Sequence, residues 1–290
     1  MPNVSEGRDV GRIAAMAAVV RATGARLLDV HSDPDHHRSV FTFVGEPDVV
    51  QAAVRALSHL VVGVVDLRTH RGVHPRIGAV DLVPFVPLRG TTMAGAVRAA
   101  HEAGRALASE LALPVYFYGE AALAPERREL PALRRGEFEG LAGRMAAPDG
   151  APDLGPVQPH ETAGATVVGA REILIAFNAE LATPDLAIAR DIARAIRESS
   201  GGLPALRALG VPLASRGRVQ VSMNLLRYRR TSLRDVMAAV DAEAASRHTK
   251  VIEFELVGCA PAAAFHGVDR ARVRMSDAQV LDPALVPDPA

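Results

Sequence analysis

His70-Arg71-Gly72-Val73-His74-Pro75-Arg76-Ile77-Gly78-Ala79-Val80-Asp81 sets the reading of this chain. It holds two histidines, two arginines, two glycines and one proline, then runs into an apolar segment from Ala79 to Pro87. A short apolar run after turn residues reads as a buried strand. Helical patterns stand on both sides of it. Glu46-Pro47-Asp48 opens a helix reaching about Val62, with proline in the first turn and acids where the helix dipole favours them. Thr91 caps a second helix to about Ala112, and Leu113 to Tyr118 is the next strand.

Further upstream, Asn3 to Gly7 reads as a loop. Arg8 to Arg21 is helical by the spacing of Ile13, Met16, Ala17 and Val20. Strands at Ala25 to Val30 and Ser39 to Gly45 flank a polar loop, His31 to His37. Downstream, arginine, proline, glycine and acids dominate Glu120 to Gly155, which reads as a connecting segment with short helical pieces. A second series follows: strands at Ala165 to Val168 and Ile173 to Asn178, a helix from Thr183-Pro184-Asp185 to about Arg197, a strand at Arg218 to Leu225, a helix at Ser232 to Ser246 and a strand at Val251 to Val257. From Val268 the pattern decays, and a frayed tail is expected. The fold class is α+β. Each half resembles a split βαβ unit, a mixed sheet with helices on one face. The expected divisions are 1–155, 156–267 and a disordered tail, 268–290.

The 290 residues carry 33 Lys plus Arg against 33 Asp plus Glu, without the basic excess of a nucleic-acid binder. One cysteine, Cys259, rules out an internal disulfide framework and a cysteine-based zinc cluster, and the lack of disulfides fits a reducing cytoplasm. The longest apolar run, Leu60 to Val65, is too short to span a bilayer, and the first residues show no apolar signal core.

His74 precedes a proline, which biases its backbone to an extended conformation. Gly72 and Gly78 allow a tight turn or a close approach. Nearby Arg71 and Arg76 disfavour the charged imidazole, and a neutral imidazole is what a general base requires. His70 and His74 share the four-residue spacing of helical zinc sites, but Gly72 and Pro75 oppose a helix there. His31, Asp33, Asp35, His36 and His37 form a second set of possible ligands, or a solvated loop with Asx turns around Pro34. Arg38 and Arg76 each adjoin a strand end beside a histidine and are candidate carboxylate clamps. Asp153 to Ala165 is a loop at a junction, a common ligand position. Ser222 and Asn224 share one face of a strand. The glycines match neither a dinucleotide nor a P-loop fingerprint.

Several stretches together resemble the glutamate formimidoyltransferase family. They are Pro2 to Gly7, Arg38 to Gly45, His70 to Asp81, Val115 to Ala121, Leu130 to Arg134, Ala151 to Pro156 and Leu174 to Asn178. They fall in the family's order over roughly Pro2 to Phe265. The resemblance implies a homodimer of protomers with two ferredoxin-like subdomains. It implies formimidoyl transfer from N-formimidoyl-L-glutamate to N5 of tetrahydrofolate, as co-substrate and without a metal, in histidine degradation. The family's catalytic histidine falls on His74. Its folate-binding loop falls on Gly155, Pro156, Gln158, His160, Thr162, Ala163 and Gly164, while Arg38, Arg76 and Asn224 would meet substrate. The sequence departs from the family at Val73, where glutamate is usual, and at His37, where asparagine is common. The short strand before Pro2-Asn3 is missing, so the sheet loses an edge strand or the true start lies upstream. Without the cyclodeaminase domain fused in some relatives, these residues are not expected to deaminate the product. Three other readings remain open at this point, a 5-formyltetrahydrofolate cycloligase, a folate-binding module without catalysis and, last, a metal hydrolase.

Overall fold

The computed structural model describes residues 1–287. The chain divides into two compact units, Met1–Arg171 and Glu172–Ala290. The first contains β1 (Asn3–Val4), α1 (Val10–Ala22), β2 (Arg26–Asp33), β3 (Arg38–Val44), α2 (Pro47–Val64), β4 (Val80–Phe85), α3 (Met93–Leu111), β5 (Val115–Gly119), α4 (Leu130–Leu133), α5 (Leu141–Met145) and β6 (Thr166–Ala170). Its sheet runs in the order β2-β3-β1-β4-β6-β5. Strands β1 to β4, with α1 and α2, make the split βαβ unit. β6 then pairs in parallel with both β4 and β5.

Local chemistry sets these elements. The Asp9 side chain caps α1 by accepting from the Arg12 amide, and Thr92 caps α3 through the Gly95 amide. Apolar residues of α1, α2 and α3, among them Met16, Leu57 and Leu107, share one core with Phe41, Val83 and Phe117 of the sheet. Gly104 lets α3 lie close over β5, because a Cβ there would reach 2.6 Å from the Phe117 ring. The short α4 and α5 add a second layer. Leu133, Leu141 and Met145 pack with Leu82, Tyr116, Tyr118 and Val167 in a separate cluster.

The second unit contains β7 (Ile175–Leu181), α6 (Leu186–Ile196), β8 (Leu206–Leu213), β9 (Arg218–Leu225), α7 (Leu233–Ser246), β10 (Val251–Val257), β11 (Ala260–Pro261), β12 (Val273–Arg274) and β13 (Val280–Leu281). Its main sheet has the order β12-β10-β7-β9-β8, so β7 to β10 form the second split βαβ unit. Phe177, Val221 and Phe254 of the sheet meet Ile192 of α6 and Val240 of α7.

Two α+β units with mixed sheets are what the sequence predicted. Four local expectations change. The loop expected at Asn3 to Gly7 begins with β1, which lies inside the sheet between β3 and β4. Residues 166–170, assigned to the second half, complete the first sheet, so the units divide after Arg171 rather than after 155. Strand β8 was not anticipated, because Gly210 and Pro212 interrupt it. It lies at a sheet edge, where proline costs no ladder bond. Gly210 also admits α6, since a Cβ would meet the Arg190 amide at 2.5 Å. The segment from Val268 does not fray as expected. β12 joins β10 in parallel, and the Gln279 side chain donates to the Leu256 and Gly258 carbonyls at 3.1 and 2.9 Å. Residues 288–290 of that expected tail lie outside the described residues. Among the described residues, no helix is long and apolar enough to cross a membrane.

Candidate active site

The site is built on the turn between β2 and β3 and on the loop that enters β4. Asp33 closes the turn by accepting the Asp35 and His36 amides, each at 2.8 Å. Such an Asx turn explains that aspartate without a ligand role. The loop crosses the turn closely. A Cβ on Gly72 would collide with the His36 carbonyl, and the Val73 amide donates to the Asp35 carbonyl at 3.0 Å.

The two histidines of the loop have different fates. His70 Nε2 lies 2.9 Å from the His37 carbonyl, and Nδ1 lies 3.3 Å from Arg76 Nε. A carbonyl only accepts and a guanidinium only donates, so Nε2 carries the hydrogen and both ring nitrogens are used. The ring also stacks on His37 at 4.2 Å between centroids. His70 is structural. In His74, half-buried, Nδ1 lies 2.8 Å from the Pro75 carbonyl. That carbonyl fixes the hydrogen on Nδ1 and leaves the lone pair on Nε2, which makes no hydrogen bond among the described residues.

The charge around His74 keeps it neutral. Burial lowers its pKa well below the usual imidazole range, and Arg38, Arg134 and His36 lower it further against Asp81. The sequence assigned this effect to Arg71 and Arg76. Arg71 is instead exposed and donates to the Arg68 and His70 carbonyls.

Arg38 is buried. It donates to Asp81 Oδ2 at 2.8 Å and to Asn3 Oδ1 at 3.0 and 3.3 Å. Burial lowers its pKa to about 10. Asp81, fully buried, also accepts from Arg134 and from the Ile77 amide at 2.8 Å. Burial pushes its carboxyl up, but Arg134 and Arg38 hold it well below the usual carboxylate range. Arg76 is saturated as well. Nη1 reaches Glu137 at 2.9 Å and Glu139 at 2.8 Å, and Nη2 reaches Glu139 at 2.7 Å. Neither arginine has the open fork that the sequence suggested.

The loop expected to meet folate lies beside these groups. Gly155 has φ 82°, and a Cβ there would collide with the Leu113 carbonyl. Pro156 and Gln158 are exposed. His160 and Gly164 exchange two backbone bonds of 2.8 Å, and the His160 ring accepts the Ala163 amide at 3.1 Å. The Leu67 amide donates to the Thr162 carbonyl, and the Ala79 amide to the Ala163 carbonyl. Residues 160–165 are thus laced to the segments on both sides of His74. Asn224 lies in the second unit, half-buried on β9 opposite Ala176 and Arg207.

Sequence reasoning missed Asp81, Arg134, Glu137 and Glu139 as parts of the site. Asp81 carried a signal, a lone carboxylate entering an apolar strand, which requires a buried partner. Among the described residues, no three His, Cys, Asp or Glu side chains form a group able to hold a metal ion.

A neutral imidazole with a fixed hydrogen and a free lone pair, carried on a split βαβ unit, suits a protein that shuttles protons during group transfer. Residues 1–171 match the family model of the N-terminal subdomain of the formiminotransferase domain, and residues 176–282 match that of the formiminotransferase domain. The chain belongs to the formiminotransferase family. It is 38% identical to a glutamate formimidoyltransferase of Streptococcus pyogenes serotype M1 over 278 residues, 96% of this chain and 93% of that protein. It is 40% identical to a glutamate formimidoyltransferase of Thermoplasma acidophilum, over 90% of this chain and 87% of the relative. It is 42% identical to a formimidoyltransferase-cyclodeaminase of Sus scrofa, over 90% of this chain and 49% of the relative.

Proposed function

We propose that this chain transfers the formimidoyl group of N-formimidoyl-L-glutamate to N5 of tetrahydrofolate, releasing L-glutamate, as a step of histidine degradation. The reading rests on the His74 imidazole, with its hydrogen held on the Pro75 carbonyl and Nε2 free. A bond forms between N5 and the amidine carbon, and the bond from that carbon to the glutamate nitrogen breaks. One proton must leave N5 and one must reach the departing amine. Nε2 of His74 takes the first and returns it as the second. The balance of bonds calls for neither a metal nor ATP.

The Gly155 to Gly164 loop is the proposed folate contact. Its exposed Pro156 and Gln158 present a peptide face and an amide, groups that suit a pterin edge. Arg76 is the proposed partner of a substrate carboxylate, which would exchange with Glu137 or Glu139. Arg38, whose fork is taken by Asp81 and Asn3, and Asn224 are the other proposed substrate contacts. We infer a homodimer working in the cytoplasm, as the family resemblance implies. The test is direct: purified chain, tetrahydrofolate and N-formimidoyl-L-glutamate, with 5-formimidoyltetrahydrofolate as the expected product. Absence of product with both substrates bound would overturn the reading.

A further inference from the structure

We propose that Asp81 and Arg134 are positioning residues for His74, joining its loop to the sheet and holding excess positive charge beside that loop; this rests on the acid–base role assigned to His74 above. The geometry carries it. The Asp81 carboxylate is fully buried and meets three separate pieces of chain. Oδ1 accepts the Ile77 amide at 2.8 Å, which pins the backbone shortly after His74. Oδ2 accepts from Arg38 at 2.8 Å, anchored on β3 and through Asn3 to β1. Oδ2 also accepts from Arg134, at the C-terminal cap of α4.

One carboxylate between two guanidinium groups leaves a surplus positive charge in a buried place. The surplus is poorly screened there, because Arg38 and Asp81 are buried. Arg134 has a further mark of a group held for its charge. Its Nε is buried without a hydrogen-bond partner among the described residues. Burying an unpaired donor costs stability, so packing alone would favour another residue at this place. The charged or titratable groups that act on His74 are Arg38 of β3, His36 of the turn before it, whose ring lies 5.8 Å away between centroids, Arg134 after α4 and Asp81 of β4. Only Asp81 among them favours a protonated ring.

The experiment follows the His74 imidazole directly by NMR titration, its resonance assigned with His74→Gln, in the wild type, Arg134→Gln, Arg134→Lys and Asp81→Asn. Arg134→Gln should raise the His74 titration midpoint by about one pH unit or more, the size expected on removing a nearby like charge. Arg134→Lys should restore the low midpoint. The acid limb of kcat/KM should move in the same direction, with KM for the formimidoyl donor changing less than kcat. Asp81→Asn should broaden or shift the Ile77 amide resonance; if that variant does not fold, the arginine pair still decides. An unmoved His74 midpoint in Arg134→Gln, with only a lower Tm, would overturn the proposal by making Arg134 a structural strut. Absence of turnover in every form would count against the proposed function alone, because the titration reads the imidazole without substrate.

Discussion

Arg76 and Glu139 form a two-bond pair, Nη1 to Oε2 at 2.8 Å and Nη2 to Oε1 at 2.7 Å, with the arginine buried and the glutamate side chain 60% exposed. Arg76 holds the Glu139 carboxyl down to about 2, so the pair stays ionised at neutral pH. Glu137 adds a second carboxylate from a left-handed backbone position, φ 54°. Two carboxylates of the chain thus occupy the guanidinium where a dicarboxylate substrate is proposed to bind. Replacing both by glutamine should lower KM for N-formimidoyl-L-glutamate roughly two- to fivefold, since half-exposed pairs are worth about 0.2–1 kcal/mol. Initial-rate kinetics check this. A raised KM would mean that the glutamates hold Arg76 in place for substrate rather than compete with it.

Gly72→Ala tests how closely the His74 loop must cross the turn before β3. The added methyl would collide with the His36 carbonyl and press on His37. Neither backbone can move freely, because the Val73 amide and His70 Nε2 tie them together. We expect a loss of about 1–3 kcal/mol, the usual cost of overpacking, read from denaturant midpoints. Turnover should fall further than stability explains, because His74 would be displaced. Unchanged stability would show that the loop has slack.

The same turn sets an acid limit on stability. Burial lowers the His37 pKa to about 4, helped by His70 and Arg8 against Glu6. The unfolded imidazole titrates near 6.5. Between those values the unfolded chain binds a proton that the folded chain does not, so stability is full above about pH 6.5 and falls as pH drops toward 4. The shift corresponds to roughly 3 kcal/mol at most. His70, also lowered by burial, acts with the same sign. His37→Asn should flatten the slope and keep the fold, because asparagine tolerates the left-handed backbone that His37 occupies at φ 49°. Urea midpoints between pH 7 and pH 4.5 decide it, and an unchanged slope would assign the acid sensitivity to other groups.

Elements with their own periodicity or caps were legible in the sequence. The amphipathic α2 and α3 and the apolar β4 and β5 stand close to where residue spacing puts them. Elements defined by distant partners were not. β1 is two residues long and is a strand only because β3 and β4 flank it. Residues 166–170 look like the start of a second series until β4 and β5 claim them. The crowding of functional groups among turn residues pointed to the loop, Gly72 and Pro75 weakened a metal pair there, and the family resemblance singled out His74 over His70. What surrounds it came from far along the chain. Arg134, Glu137 and Glu139 return from a segment that reads as a connector, and composition gives no sign that they meet Asp81 and Arg76. The arginines were visible, but the carboxylates that saturate them were not.

Turnover by His74→Ala, in an otherwise unchanged assay with tetrahydrofolate and N-formimidoyl-L-glutamate, decides whether this imidazole carries the proton. We expect a fall in kcat of at least about a hundredfold, as for removal of an acid–base group, with tetrahydrofolate still bound. Undiminished kcat in that variant would contradict it.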